Sequence, residues 1–308
     1  MGERPSVGFA DRLAALVEER RSQIVLGLDP DPSALWRDAV GAEPAQPGAP
    51  GGPDAASLTA AAVERHCRMA IDAAGAACVA VKPQLACFER LGAPGWAALA
   101  ATVQAAQQAG LLVIADGKRG DVPVTAKAYA QALVGETPGP YGPVRGLGAD
   151  AFTANPLLGR DALEPLVEAG AGCFVLVRTS NPGAAEIQDE PHDSPLHERL
   201  AKLVDELGAS AVGESGLSDV GAVTGATRPD LLQKLRDLMP RAIFLLPGVG
   251  AQGGSAQDLG PAFANHPAGG LISASRSIVG AHTQRGGDPA RAAAAAAEEL
   301  RRAAWQAR

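Results

Sequence analysis

Aromatic side chains are scarce in this 308-residue chain: six Phe, three Trp and two Tyr amount to 4% of it. The core must therefore be built from aliphatic residues and alanine, within a hydrophobic content of 46%. Long apolar runs are missing as well. None approaches the ~18 residues of a membrane helix, and the opening Met1-Gly-Glu-Arg-Pro-Ser6 lacks the apolar stretch of a secretory leader. The expectation is a cytoplasmic protein with no membrane partner. Cysteine is limited to Cys67, Cys78, Cys87 and Cys173, with no CxxC pair, which reads as buried reduced thiols and not as a zinc or disulfide framework. The five histidines, His66, His192, His197, His266 and His282, form no HxxxH pair and read as surface or structural groups. No metal is expected. Basic charge is also short: 27 Lys and Arg stand against 34 Asp and Glu, a net charge of −7, with no dense basic stretch. That excludes a nucleic-acid polymer as partner. The same arithmetic disfavours a small anionic substrate unless cations and backbone amides are concentrated in one place.

Glycine and proline are plentiful, at 37 and 24 residues. Their share exceeds that of ordinary soluble chains but stays below the ~25–30% of disordered ones, so the chain is folded and rich in turns. Short apolar runs recur at 24–28, 78–81, 111–115, 149–153, 173–177, 220–225, 242–246 and 270–274. Segments of helical period lie between them, at 58–74, 95–109, 124–134, 160–169, 195–207, 229–239 and 289–304. Alternating strand and helix implies parallel strands covered by helices. Eight repeats in about 300 residues predict an α/β fold, a single (β/α)₈ TIM barrel spanning 1–308. The sixth strand has a competitor at 210–212. Prolines 44, 47, 50 and 53 repeat at three-residue intervals within 41–54, read as a Pro/Gly-rich surface loop inserted after the first strand; a polyproline II ligand is the weaker reading.

Barrel enzymes place their chemistry at the C-terminal ends of the strands. Asp29 closes the first apolar run, Lys82 the second, Asp116 and Lys118 the third; Asn155, Ser180 and Arg276 follow the fourth, fifth and eighth. Side chains two apart on a strand point the same way, so Asp116 and Lys118 should be neighbours. A lone Asp-x-Lys is ordinarily a surface ion pair of little consequence. Here five apolar residues precede it and a second lysine ends the adjacent strand, so the charges converge in a barrel mouth and must be mutually paired. Arg119 reads as an outward ion pair. Segments 245–254 and 273–277 follow strands seven and eight, where barrels hold phosphate. Glycines there let backbone amides approach the oxygens, and Arg276 can add a charge-assisted contact.

These motifs, taken together, resemble the orotidine 5′-phosphate decarboxylase family, particularly its longer bacterial type 2 form. The most specific stretch, Asp116-Gly-Lys118-Arg-Gly-Asp121-Val-Pro-Val-Thr125, is similar to the family's Asp-x-Lys-x-x-Asp signature with its downstream threonine. Gly27-Leu28-Asp29-Pro30, Val81-Lys82-Pro83-Gln84, Asn155-Pro156 and the segments 177–183, 247–254 and 273–276 follow in the family's order, so the resemblance covers nearly the whole chain. It implies cofactor-free decarboxylation of orotidine 5′-monophosphate to UMP, in de novo pyrimidine synthesis. Lys82, Asp116, Lys118 and Asp121 would be the catalytic network, with Lys118 the proton donor. Asp121 and Thr125 would reach the partner's site in a homodimer with composite sites. Asp29 and Lys82 would bind ribose hydroxyls, Ser180 the pyrimidine edge, and Gln252 with Arg276 the phosphate, helped by Gly250 and Gly253. Gly117, Pro123, Leu157 and Ser277 depart from the usual pattern. Related phosphosugar decarboxylases and aldolases share the Asp-x-Lys-x-x-Asp pattern but bind Mg²⁺, and no clear further carboxylate after strand one completes such a site. A catalytically silent UMP-binding protein is the other alternative, and the intact charged set argues against it.

Overall fold

In the computed structural model, which describes residues 7–41, 53–249 and 254–308, eight parallel strands close into a barrel in chain order. They are β1 (Ile24–Leu28), β2 (Ala80–Pro83), β3 (Leu112–Arg119), β4 (Ala151–Ala154), β5 (Gly172–Arg178), β6 (Ser218–Thr224), β7 (Ala242–Pro247) and β8 (Gly270–Ala274). The sheet closes where Val25 of β1 pairs with both Ala80 and Ser273. Among the described residues the helices of eight or more residues are α1 (Phe9–Arg20), α2 (Ala55–Ala74), α3 (Ala93–Gln108), α4 (Pro123–Leu133), α5 (Arg160–Val167), α6 (Leu196–Gly208), α7 (Pro229–Leu238) and α8 (Pro289–Ala307). From α2 onward they join successive strands or follow the last one, which makes the architecture a (β/α)₈ barrel.

Alternation along each strand sorts the side chains into two layers. Val25, Leu112, Ile114, Phe174, Ile243, Leu245 and Leu271 form an inner core, while Leu26, Val81, Val113, Phe152, Val175, Phe244 and Ile272 join the layer beneath the helices. That outer layer is rich in alanine, including Ala70 and Ala74 of α2 and Ala98 and Ala106 of α3, so helices approach closely with few aromatics. Helix α1 stops the N-terminal mouth. Phe9, Leu13 and Val17, spaced i, i+4, i+8, lie with the inner core, and the Phe9 ring meets Phe174 edge-on at 5.8 Å. This helix is absent from the periodic segments expected above.

Local chemistry sets the helix starts. Asp54 caps α2 by accepting from the Ser57 N–H at 2.8 Å, Asp288 does the same for α8 with Arg291, and α4 and α7 begin on proline. Among the described residues the β7–β8 connection carries short helical turns, at Ala256–Leu259, Gly260–Phe263 and Pro267–Gly269. Buried Arg236 ties that connection down, donating to the carbonyls of Met239, Ala242, Ala262 and Gly269 at 2.7–3.0 Å. Its burial pushes the guanidinium pKa down to about 10.

Strand six falls on the expected 220–225 run, at Ser218–Thr224, and Val212 of the competing segment makes an isolated antiparallel bridge to Ser218. Other expectations need correction. Strands two and three extend beyond their apolar runs, so Lys82, Asp116 and Lys118 stand within β2 and β3 instead of after them. A hydropathy run ends at the first charge, whereas the strands continue past it, to Pro83 and Arg119. An exposed hairpin, Glu136–Thr137 with Val144–Arg145, was not anticipated. Cys67, Cys78 and Cys173 are buried and free, whereas Cys87 is only half-buried. Of the 41–54 loop, 42–52 lie outside the described residues. Among the described residues no helix is long and apolar enough to cross a membrane.

Candidate active site

The site begins with an irregularity in β3. Ala115 pairs with Phe152 of β4, yet the next pairing joins Arg119 to Ala154, so four steps of β3 are fitted opposite two of β4. Bulges of this sort re-aim side chains. The extra residues carry Asp116 and Lys118 into the C-terminal mouth, and Lys118 adopts a left-handed backbone with φ of 47°. For a residue with a Cβ that conformation costs about 1–2 kcal/mol. It is held by the Lys118 N–H, which donates to Thr153 Oγ1 at 2.8 Å. Between the two stands Gly117, where a Cβ would sit 2.7 Å from Leu85 Cδ1, so a side chain there requires the buried leucine tip to shift.

Asp116 is the hub. Only 4% exposed, it accepts at Oδ2 from Lys82 Nζ, and from Gln84 Nε2 at 3.3 Å. At Oδ1 it accepts from Lys118 Nζ at 2.7 Å and Thr153 Oγ1 at 2.9 Å. Burial by itself pushes the Asp116 carboxyl up, but the two ammonium groups outweigh it and hold the carboxyl well below the ordinary carboxylate range. Burial likewise opposes the charge on Lys82, and Asp116 and Asp29 overcome it, raising Lys82 above the usual lysine value. Both groups are therefore ionised at neutral pH. Lys118 differs from Lys82 in access, its side chain being 42% exposed toward the cavity.

That cavity, about 470 Å³, is lined by Lys82, Asp116, Lys118, Thr153 and Ser180 on its polar side and by Leu176, Val223 and Leu245 on its apolar side. A recess of about 110 Å³ adjoins it, sharing Lys82 and Pro247, and is lined also by Asp29, Ser273 and Arg276. The lysine of β2 thus borders both compartments. Ser180 sits on a loop braced from below: the Arg178 guanidinium donates to both carboxylate oxygens of Asp189 at 2.7 and 3.0 Å. His197 and Arg228 each lie 3.2 Å from the same carboxylate. The Arg178 hydrogen bond, countered by partial burial, holds Asp189 below its ordinary value. The loop also presses on Gly225, where a Cβ would lie 2.8 Å from Ser180 Cα.

The structure therefore unites Lys82, Asp116 and Lys118, and places Ser180, Asp29 and Arg276 on the walls of the two compartments. It does not bring Asp121 or Thr125 into this cluster. Asp121 Oδ1 accepts from the adjacent Val122 N–H at 2.8 Å, and Thr125 lies exposed on the first turn of α4, donating to the Val122 carbonyl. Gly250, Gln252 and Gly253 lie outside the described residues. Arg119 does pair outward, with Glu89, and its guanidinium lies 5.5 Å from the Tyr129 ring. Thr153, Gln84 and Asp189 escaped the sequence reading. For Thr153 a signal existed: it is the one polar residue of Ala151-Phe-Thr-Ala154, at the inward parity. Among the described residues no group of three or more His, Cys, Asp or Glu side chains is placed to hold a metal ion.

Comparison with known proteins completes the picture. The chain is 43% identical over 282 residues to the orotidine 5′-phosphate decarboxylase of Rhodopirellula baltica, covering 89% of each. Among solved structures it resembles the Leishmania donovani OMP decarboxylase, with a TM-score of 0.70, 30% identity, and coverage of 97% of this chain and 99% of that one. It also resembles the Leishmania donovani UMP synthase, with a TM-score of 0.71 and 33% identity, spanning 57% of that longer protein. The family model for the orotidine 5′-phosphate decarboxylase / HUMPS family matches residues 22–296, which with the curated relative shows that the chain belongs to that family.

Proposed function

We propose that this orotidine-5′-phosphate decarboxylase converts orotidine 5′-monophosphate to UMP by fixed-charge catalysis at Lys118. The C6–carboxylate bond breaks with its electron pair remaining on C6, and CO₂ departs. That pair lies in the ring plane, orthogonal to the π system, so the ring cannot delocalise it. A positioned ammonium can stabilise it electrostatically, and Lys118 Nζ then transfers a proton to C6 and is reprotonated from solvent. Asp116 serves two purposes in this reading. It keeps Lys118 oriented and charged, and its own negative charge near the substrate carboxylate favours departure of CO₂.

The observation that carries the proposal is the buried, ionised Asp116 shared by two ammonium groups at the edge of a nucleotide-sized cavity. Arg276, together with Gln252, Gly250 and Gly253, holds the phosphate, while Asp29 and Lys82 take ribose hydroxyls and Ser180 the pyrimidine edge. Binding energy gained at the phosphate, far from C6, then serves to orient the reacting ring. Asp121 and Thr125 complete the site of a second subunit in a homodimer. This is supported by their side chains bonding to Val122 and not to the cluster of their own chain, and by the apolar side chains beside them, Val122 and Val124, which are 53% and 84% exposed. The reading extends to the longer bacterial type 2 form, which the motifs of the chain taken together resemble.

The decisive assay follows loss of orotidine 5′-monophosphate absorbance in EDTA-treated buffer. Turnover unaffected by EDTA and abolished by Lys118→Ala is the expected result. Activity that requires added Mg²⁺, or a Lys118→Ala enzyme with substantial turnover, would overturn the mechanism.

A further inference from the structure

We infer that Thr153 is the positioning residue that holds Lys118 in its reactive geometry, an inference that rests on the reading of Lys118 as proton donor. Three hydrogen bonds close on themselves around one hydroxyl. Thr153 Oγ1 donates to Asp116 Oδ1 at 2.9 Å, the same Oδ1 accepts from Lys118 Nζ at 2.7 Å, and the Lys118 N–H donates back to Thr153 Oγ1 at 2.8 Å. The ring joins the backbone of the lysine to the carboxylate that orients its ammonium.

Each part of the ring answers a need created by the β3 bulge. Between Ala115 and Arg119 the strand has no regular pairing with β4, so the Lys118 N–H needs an acceptor outside the ladder. The left-handed backbone of Lys118 needs a restraint against relaxing to an ordinary conformation. Asp116 Oδ1 needs its orientation fixed if the ammonium is to stand at a defined point. A hydroxyl satisfies all three because it donates and accepts at once, which neither an amide N–H nor a carbonyl does. Burial makes the arrangement exclusive: Thr153 is 1% exposed, so water does not substitute for it, and its branched Cβ limits rotation about χ1.

The test compares Thr153→Val, which keeps the shape and loses the hydroxyl, with Thr153→Ser, which keeps the hydroxyl. Misplacement of a reacting group by about 1 Å can cost ~10²-fold in rate. Thr153→Val is therefore expected to lower kcat by roughly 10- to 100-fold. KM and the UMP dissociation constant, set mainly at the phosphate and ribose, should stay within about threefold, and Thr153→Ser should recover most of the lost kcat. A Thr153→Val enzyme with normal kcat beside an inactive Lys118→Ala enzyme would overturn this inference alone. Turnover by Lys118→Ala would instead overturn the reading beneath it. Loss of kcat in Thr153→Val that Thr153→Ser fails to rescue would assign Thr153 a packing role and equally refute the proposal. Should Thr153→Val fail to bind UMP or melt cooperatively, the same criterion applies to the pair Thr153→Ala and Thr153→Ser.

Discussion

Replacing Asp116 by Asn keeps the shape of the hub and removes its charge, and the structure says what that should cost. Lys82 is 8% exposed and Asp116 4%, so the substitution strands an ammonium in a place that water barely reaches. Removing one partner of a buried ion pair typically costs about 3–5 kcal/mol. The second pair adds little, because the Lys118 side chain is 42% exposed and a screened pair contributes about 0–1 kcal/mol. Asparagine still offers one oxygen as acceptor, which favours the low end, about 3 kcal/mol in all. The loss should depend on pH in a defined way. The carboxyl of Asp116 titrates lower in the folded protein than in the unfolded one, so its contribution is complete above the unfolded carboxylate value near pH 4 and disappears as pH falls through the folded value. Lys82 is raised, so its contribution is complete below the unfolded lysine value of about 10 and is lost only as pH rises through the folded value. Urea unfolding of wild type and Asp116→Asn between pH 3 and 7 should therefore show a gap in midpoint, at unchanged slope, that is full at pH 7 and narrows toward the acid end. Equal stability at pH 7, or a gap that widens toward pH 3, would refute the reasoning.

Three further outcomes are expected. Lys118→Gly and Lys118→Ala should both lose turnover, but the glycine variant should be the more stable by about 1 kcal/mol in urea unfolding, because only it adopts a φ of 47° without steric cost; an alanine variant of equal or greater stability would mean that the lysine backbone is not strained. Gly225→Ala should push the Ser180 loop away from the cavity, since the new Cβ would stand 2.8 Å from a backbone atom, with a stability loss of about 1–3 kcal/mol and a rise in KM that exceeds any fall in kcat; unchanged steady-state constants would detach that loop from substrate binding. Mixed Lys118→Ala and Asp121→Ala subunits should regain activity, each heterodimer holding one intact composite site, and no recovery after verified subunit exchange would count against shared sites.

The barrel was legible because burial on both faces of its strands leaves a plain record: eight apolar runs, each at the length of a strand, with helical periods between them. Strand ends were less so. Lys82 and Asp116 read as residues beyond their strands because hydropathy registers the charge and not the ladder that continues through it. Helix α1 escaped although Phe9, Leu13 and Val17 mark its apolar face, since eight repeats already accounted for the expected fold and nothing local says that the open end of a barrel needs a stopper. In the site, the spacing of Asp116 and Lys118 predicts that they are neighbours, and they are, but not along an extended backbone. The chain instead brings the two groups together through a bulge and a left-handed lysine.

Net charge misled for a related reason. A total of −7 disfavours an anionic ligand only if charge is spread evenly, and here Lys82, Lys118 and Arg276 stand at one mouth against Asp29 and Asp116. Within the cluster the carboxylate is buried and the Lys118 ammonium is left half open, so the accessible charge at the cavity is positive even though the nearest pair is balanced. Local rules failed at the charged residues inside strands, at the lysine with positive φ and at the glycine wedged against Leu85, and these lie together at the mouth. A sequence tends to depart from its own local preferences where a site must be held in a geometry that the backbone alone would not choose. Thr153 shows how faint the advance signal of such a site is: a polar residue at the inward parity of its strand marks the position, but its role comes from the two partners that the bulge in the neighbouring strand presents to it.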